Sequence, residues 1–331
     1  MMPKRFNDTG VCIPNRHYMV DLSVKLNQII QLVERGEYFT INRPRQFGKT
    51  TTLFMLDKAL NLREDYVALK ISFEGIDSKT HQHVDQFVRL FLEMFIREFE
   101  FLNQSELAQF TTQYLEKTNT LPLLSRFITK LKRDKLPQTS LVLLIDEVDK
   151  SSNNQLFLDF LSLLRNKYLY QNEGRDHTFH SVILAGVHDI KTLKAKIHKE
   201  AKYQGENVGY NSPWNIAIDF KVDLSFSAPE IETMLQDYSE EKQIPLDIPA
   251  IAKRLYYYTS GYPYLVSKLC KFIDEEILPN LERKNGTVED VNAAFKMIVA
   301  EGYTTTLFDS LIKNLENNPE LYNNVFNLVI N

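Results

Sequence analysis

Apolar and polar positions along this chain follow a helical period, then a strand period, then a helical one again. Near the N-terminus, "HYMVDLSVKLNQIIQLVERG" gathers Leu26, Ile29, Ile30 and Val33 at helical spacing, and Gly36 suits the stop. "YFTIN" (38–42) predicts a strand, and "KTTTLFMLDKAL" has the apolar spacing of a helix. "YVALKISFEG" (66–75), β-branched and aromatic-rich and ended by Gly75, predicts a second strand. Residues 81 to about 135 read as helices: Leu90, Phe91, Met94, Phe95 and Ile96 crowd one region, and Leu123, Leu124, Phe127, Ile128 and Leu131 repeat at helix period. "SLVLLID" (140–146) and "SVILAGV" (181–187) are apolar runs of the kind buried on both faces of a parallel sheet, with helical "FLDFLSLLRNKYL" between them. A polar stretch, roughly 188–212, precedes a fifth strand candidate, "WNIAIDF".

Strands alternating with helices predict a doubly wound α/β domain. From Ala228 the pattern turns all-helical: "APEIETMLQDYSEEK", "IPAIAKRLYYYTS", "YPYLVSKLCKFIDEEIL" and "TVEDVNAAFKMIVAEG" are separated by Pro, Gly and Asn. A helical module after an α/β core has the placement of a lid. The expected division is therefore a core at 1–226, with its N-terminal segment, and a helical lid region at 227–331.

Chemistry enters at "FTINRPRQFGKTTTLFML" (39–56). Gly48, Lys49 and Thr50 fit the end of the G-x-x-x-x-G-K-[ST] phosphate loop, but Arg43 stands where the first glycine belongs, and Pro44 stiffens the backbone after it. A loop that leaves a strand and opens a helix aims backbone N–H groups and the positive helix end at one spot. Arg43, Pro44, Arg45, Gln46, Phe47, Gly48, Lys49, Thr50 and Thr51 are thus candidate nucleotide-binding residues. Lys49 would neutralise the β- and γ-phosphates, and the Thr50 hydroxyl would ligate Mg²⁺.

The second half lies in "LVLLIDEVDK", an apolar strand ending in Asp146-Glu147. That places a carboxylate at the carboxyl edge of the sheet, where α/β proteins bind ligands. Asp146 would hold Mg²⁺ through its water shell, and Glu147 would polarise the attacking water as general base. After "SVILAGV", His188 or Asp189 is the candidate for a polar residue near the γ-phosphate. No N-K-x-D loop occurs, which favours adenine over guanine. "HQH" (81–83) matches no zinc spacing and reads as a solvated loop. "YYY" (256–258) reads as helix packing rather than base stacking, and "KTLKAKIHK" (191–199) as a solvated helix face.

Composition narrows the setting. The chain has 331 residues, 44% hydrophobic and 25% charged, with a net charge of −4, so no global basic field draws it to nucleic acid. Two distant cysteines, Cys12 and Cys270, suit a reducing compartment. With no signal-peptide core at the start and no apolar run of membrane length, the expected location is the cytoplasm, without a membrane partner.

"HYMVDLS", "GEYFTINRPRQFGKTT", "LLIDEVD", "SPWNIAIDF" and "YTSGYPYLVSKLC", in this order over about residues 10–315, resemble the bacterial AAA-like ATPases related to STAND-class P-loop NTPases. Arg-Pro-Arg ahead of Gly-Lys-Thr is a feature of that group. The resemblance implies a parallel sheet of the additional-strand type flanked by helices, then an all-helical lid and a winged-helix-like segment. It implies ATP and Mg²⁺ as cofactors, makes Gly261-Tyr262-Pro263 a G-x-P element with Pro263 against the adenine, and sets residues 12–21 near the base. Relatives often carry a C-terminal nuclease-like domain. No D…E-x-K constellation follows residue 300, so a shortened chain or a member lacking that effector is expected, without nuclease activity in these residues.

The leading expectation is an ATP-dependent switch that hydrolyses ATP slowly, with Lys49 and Glu147 as its catalytic residues and an unidentified protein or effector domain as its partner. The rival is a non-hydrolysing nucleotide-binding scaffold, supported by the missing first glycine and opposed by the Asp146-Glu147 pair. A nucleic-acid-associated regulator is a third reading, opposed by the acidic balance and tested by salt-dependent DNA binding.

Overall fold

A computed structural model describes residues 3–75, 80–148, 155–187, 214–283, 285–300, 322–324 and 327. The chain divides into two compact units. One comprises Leu22–Pro44 and Lys49–Asp223; the other comprises Met1–Asp21, Arg45–Gly48 and Leu224–Asn331. The chain therefore leaves the first unit at Pro44 and rejoins it at Lys49.

The first unit is built on four parallel strands: β1 (Phe39–Asn42), β2 (Tyr66–Ser72), β3 (Ser140–Asp146) and β4 (Ser181–Gly186), in spatial order β1-β4-β3-β2. The late strand β4 is inserted between β1 and β3, which is the additional-strand arrangement that the family resemblance implies. Parallel neighbours need long crossovers, and helices supply them. They are α2 (Lys49–Asn61) between β1 and β2, α3 (Val84–Phe101), α4 (Ser105–Thr112) and α5 (Leu121–Lys130) between β2 and β3, and α6 (Gln155–Asn172) between β3 and β4; α1 (Ser23–Glu34) precedes β1. Helices on a sheet's faces bury its strands, which is why β3 and β4 read as unbroken apolar runs; Leu141 to Ile145 and Val182 to Ala185 are all fully buried. Along α3, Phe87, Phe91, Phe95 and Phe99 recur every fourth residue and are buried, with the Phe91 ring edge-on to Phe160 of α6 at 5.0 Å.

The fifth strand candidate, 214–220, is not a strand. It pairs with β1 at one bridge, Phe39 with Ile218, where the Ile218 N–H donates to the Tyr38 carbonyl at 2.9 Å. The reason is Trp214. Its side chain is fully buried, with its ring 5.8 Å from Tyr38, and the following residues turn tightly, Ala217 N–H donating to the Trp214 carbonyl at 3.2 Å. Burying the indole in a turn leaves only the end of the segment extended.

Helix α2 carries an ionisable group into the interior. Asp57 is 8% exposed and its Oδ1 accepts from Asn61 Nδ2 at 2.9 Å. Burial, with repulsion from Glu98, pushes its carboxyl up to about 6 against the pull of Lys70, Asn61 and Lys58. A folded-state value raised above the unfolded one favours the protonated fold, so the contribution is complete below pH ~4 and lost as pH rises through 6. Asp57→Asn is therefore expected to stabilise the protein by about 2 kcal/mol at pH 7.5 and by nothing at pH 4. Paired melting curves across that range check it; a gain that does not change with pH would refute the assignment.

In the second unit, the segments from Ala228 onward form α7 (Ala228–Lys242), α8 (Ile248–Thr259), α9 (Pro263–Phe272) and α10 (Val288–Ala300), as their periodicity predicts. Ser227 and Glu230 close a capping box on α7, and Asp247 caps α8. The winged-helix-like expectation belongs to the C-terminal part of 227–331, of which residues 301–331 lie almost wholly outside the described residues. Met1–Asp21 belongs to this unit: Lys4 Nζ pairs with Asp237 at 2.7 Å, Asp8 takes Lys268 and Lys271 at 2.9 and 2.8 Å, and the Phe6 ring lies 4.9 Å from both Tyr18 and Tyr238. No described helix is long and apolar enough to cross a membrane.

Candidate functional site

The loop from β1 to α2 begins as a continuation of the sheet. Arg43 N–H donates to the Gly186 carbonyl of β4 at 3.2 Å, extending the ladder one residue past Asn42. The Arg43 guanidinium donates to the carbonyls of Asn42 (2.8 Å) and Val222 (2.9 Å), with its carbon 5.5 Å from the centre of the Phe220 ring. Arg43 thus braces the base of the loop. An arginine is accommodated in place of glycine because the backbone there is still extended.

The turn comes later. Gln46 has φ +58° and Gly48 φ +79°, both left-handed, and a side chain on Gly48 would have nothing within 4 Å. Glycine at 48 therefore answers to backbone conformation rather than to crowding. Lys49 opens α2 and is 6% exposed; its Nζ donates to the carbonyls of Arg43 and Pro44, each at 2.9 Å. A buried ammonium needs oxygen partners, and here the loop's own carbonyls supply them. Thr50 is half-buried in the first turn of α2, and Thr51 is buried.

Asp146, the last residue of β3, is 3% exposed. Thr40, Leu184 and Ile145 lie in one register row across β1, β4 and β3, so Asp146 is level with Ile41 at the sheet's carboxyl edge. Two strand spacings put these backbones about 10 Å apart. Asp146 Oδ1 accepts the N–H of Glu147 at 2.9 Å. Glu147 is half-buried and has φ +55°.

That last angle is informative. Five described residues other than glycine have positive φ: Gln46, Asn103, Glu147, Gln243 and Ser260. Asn103, Gln243 and Ser260 end helices α3, α7 and α8, where a left-handed residue satisfies the terminal carbonyls. Gln46 and Glu147 have no such duty. They follow β1 and β3, the two strands whose carboxyl ends carry the glycine loop and the acidic pair. A left-handed conformation costs a non-glycine residue about 1–2 kcal/mol, and such strain concentrates at functional sites. No residue pattern announced it, because the cost lies in the backbone.

In the helical unit, Pro263 is buried at the first position of α9. Before it, Gly261 has φ +73° and its carbonyl accepts the Phe226 N–H at 2.7 Å. Tyr262 enters the sequence reading only as the unspecified middle residue of the G-x-P element, with no role of its own. Its hydroxyl donates to the Arg45 carbonyl, and its ring is edge-on to Phe47 at 4.9 Å. A tyrosine between glycine and proline carries no chemical signature of its own, so only the fold reveals this role. His188, Asp189 and the 191–199 stretch lie outside the described residues.

The sequence model of a family described as an AAA-like domain matches residues 10–331. No curated protein matches the chain significantly. Among solved structures, the Walker-type ATPase PABY2304 of Pyrococcus abyssi is similar over 95% of this chain and 80% of its own, at 15% identity and a TM-score of 0.60. The Aeropyrum pernix ORC1 protein, solved in complex with DNA, is similar over 85% of this chain and 66% of its own, at 12% identity and a TM-score of 0.46. The Thermotoga maritima RuvB Holliday junction branch migration motor is similar over 84% of this chain and 70% of its own, at 14% identity and a TM-score of 0.42. At 15% identity the likeness to the Pyrococcus abyssi protein is one of fold alone.

Proposed function

The chain belongs to the AAA-like domain family, and from that membership we propose that it is an ATP-binding, slowly hydrolysing P-loop NTPase that works as a nucleotide-dependent switch. The observation that carries this reading is the strained Glu147, following a buried Asp146 at the same sheet edge as the glycine loop. A scaffold that only stored nucleotide would gain nothing from holding a second acid in a costly conformation.

In this reading the Lys49 ammonium exchanges its bonds to the Arg43 and Pro44 carbonyls for phosphate oxygens, and backbone N–H groups of Gln46 to Thr50 take the remainder. Glu147 takes a proton from the attacking water. Mg²⁺ in such a site uses one or two protein oxygens and completes its shell with phosphate and water. Thr50 and Asp146 fit that demand. Among the described residues no cluster of three His, Cys, Asp or Glu side chains occurs to hold a metal without the phosphates. The ion would supply charge neutralisation on the transferring phosphoryl group. Residues 227–331 as lid, with Pro263 on the adenine side, and a cytoplasmic location are parts of the proposal that rest on the sequence resemblance and composition.

Melting temperature and phosphate release with ATP–Mg²⁺, for wild type and Lys49→Ala, test the reading. Wild type should be stabilised and release phosphate slowly, whereas Lys49→Ala should bind about 30-fold more weakly, the loss of one charge-assisted contact. Stabilisation without release would favour the scaffold. No response in wild type would refute nucleotide binding altogether.

A further inference from the structure

We infer that Tyr262 is a positioning residue for phosphate: by holding the Arg45 carbonyl, its hydroxyl fixes the Arg45–Gln46 peptide so that the Gln46 N–H is presented to a bound phosphate group. The inference rests on the proposed phosphate-binding role of the loop and adds to it a residue that the glycine-lysine pattern does not contain.

No cis peptide bond occurs among the described residues, and across a trans peptide the carbonyl and the following N–H point in opposite directions. A donor that captures the Arg45 carbonyl therefore also aims the Gln46 N–H away from itself. Tyr262 is that donor. Gln46 and Gly48 are both left-handed, and backbone stretches of this kind turn successive N–H groups into an anion-binding concavity. A peptide flip at Arg45–Gln46 would replace a donor in that concavity by a carbonyl, which repels phosphate. The tyrosine hydroxyl opposes that flip.

Tyr262 is itself held on three sides. Its N–H donates to the Thr259 carbonyl at 2.9 Å, its ring meets the edge of Phe47 at 4.9 Å, and it follows Gly261, whose carbonyl is bonded to Phe226. Burial pushes the Tyr262 hydroxyl above its usual range, which keeps it protonated as a donor at any working pH. The residues that fix this ring, Thr259, Gly261 and Phe226, all lie within the helical unit, as does the Arg45–Gly48 stretch it holds. One hydroxyl thus links the packing of that unit to the orientation of a loop amide. The ligand moiety it serves is the phosphate chain, not the base.

The test is Tyr262→Phe, which keeps the ring and its contact with Phe47 and removes only the donor. ATP–Mg²⁺ and pyrophosphate–Mg²⁺ binding are measured for both proteins by titration calorimetry, with the melting temperature of each ligand-free protein as control. We expect both ligands to bind about tenfold more weakly to the variant, as for loss of one hydrogen bond to a charged group, at an unchanged ligand-free melting temperature. Three results would overturn the inference: equal ATP affinity in the two proteins, weaker ATP binding with undiminished pyrophosphate binding, or a loss that tracks a fallen melting temperature. If wild type binds neither ligand, the phosphate-loop reading itself fails and this inference goes with it. That outcome is distinct from a wild type that binds both ligands and a variant that binds them equally well.

Discussion

Replacing Glu147 by glutamine is expected to lower ATP turnover at least 100-fold while leaving ATP–Mg²⁺ affinity within about threefold, because a positioned general base contributes on the order of 10²–10⁴ in rate and little to ground-state binding. The substitution preserves size and removes only basicity. It also preserves the left-handed backbone at position 147, with φ +55°, so the ligand-free stability should not move. Single-turnover release of labelled phosphate, alongside a binding titration, separates the two quantities. Unchanged turnover would remove Glu147 from the mechanism. A companion change sharpens the point: Glu147→Gly should be equally inactive yet more stable by about 1 kcal/mol, since glycine adopts this conformation without steric cost. A protein that becomes more stable as it loses activity is the signature of strain held for function.

What the sequence makes legible here, and what it does not, follows from the range of the interactions involved. Strands β3 and β4 are legible because burial on both faces demands apolar residues at every position, and that demand is met within each segment. The four helices between Ala228 and Ala300 are legible because each carries its own apolar periodicity between breaker residues; the Ser227–Glu230 capping box is added by the structure. Segment 214–220 has strand composition, but whether it pairs is settled by where Trp214 is buried, a contact with Tyr38 from far along the chain. The loop is a mixed case. Arg43 reads as a defect in the glycine pattern because the pattern ties the first turn to that position. In the fold Arg43 still belongs to the strand ladder, and the left-handed turn falls at Gln46 instead. Neither that shift, nor the strain at Glu147, nor the hydrogen bond from Tyr262 has a compositional trace. Each is imposed by packing, and residue types alone do not encode it.

Gly261→Ala should strongly destabilise the helical unit, and the way it fails tests how that unit is built. A Cβ at this position would sit 2.0 Å from the Phe226 carbonyl oxygen and within 3 Å of two more Phe226 backbone atoms, so no side-chain rotation can relieve it. The same residue has φ +73°, which adds the left-handed penalty of about 1–2 kcal/mol to an overpacking cost of about 1–3 kcal/mol, for a total of about 4 kcal/mol. The backbone must separate, and the Phe226 N–H to Gly261 carbonyl bond, 2.7 Å long, goes with it. The chain's one tryptophan makes the damage local to observe. Trp214 is buried in the sheet unit, so its fluorescence reports that unit, whereas circular dichroism at 222 nm also reports α7 to α10. In Gly261→Ala the dichroism should fall at a lower denaturant concentration than the fluorescence changes. Coincident transitions, shifted together, would mean that the two units unfold as one and that the cost at Gly261 is shared by the sheet.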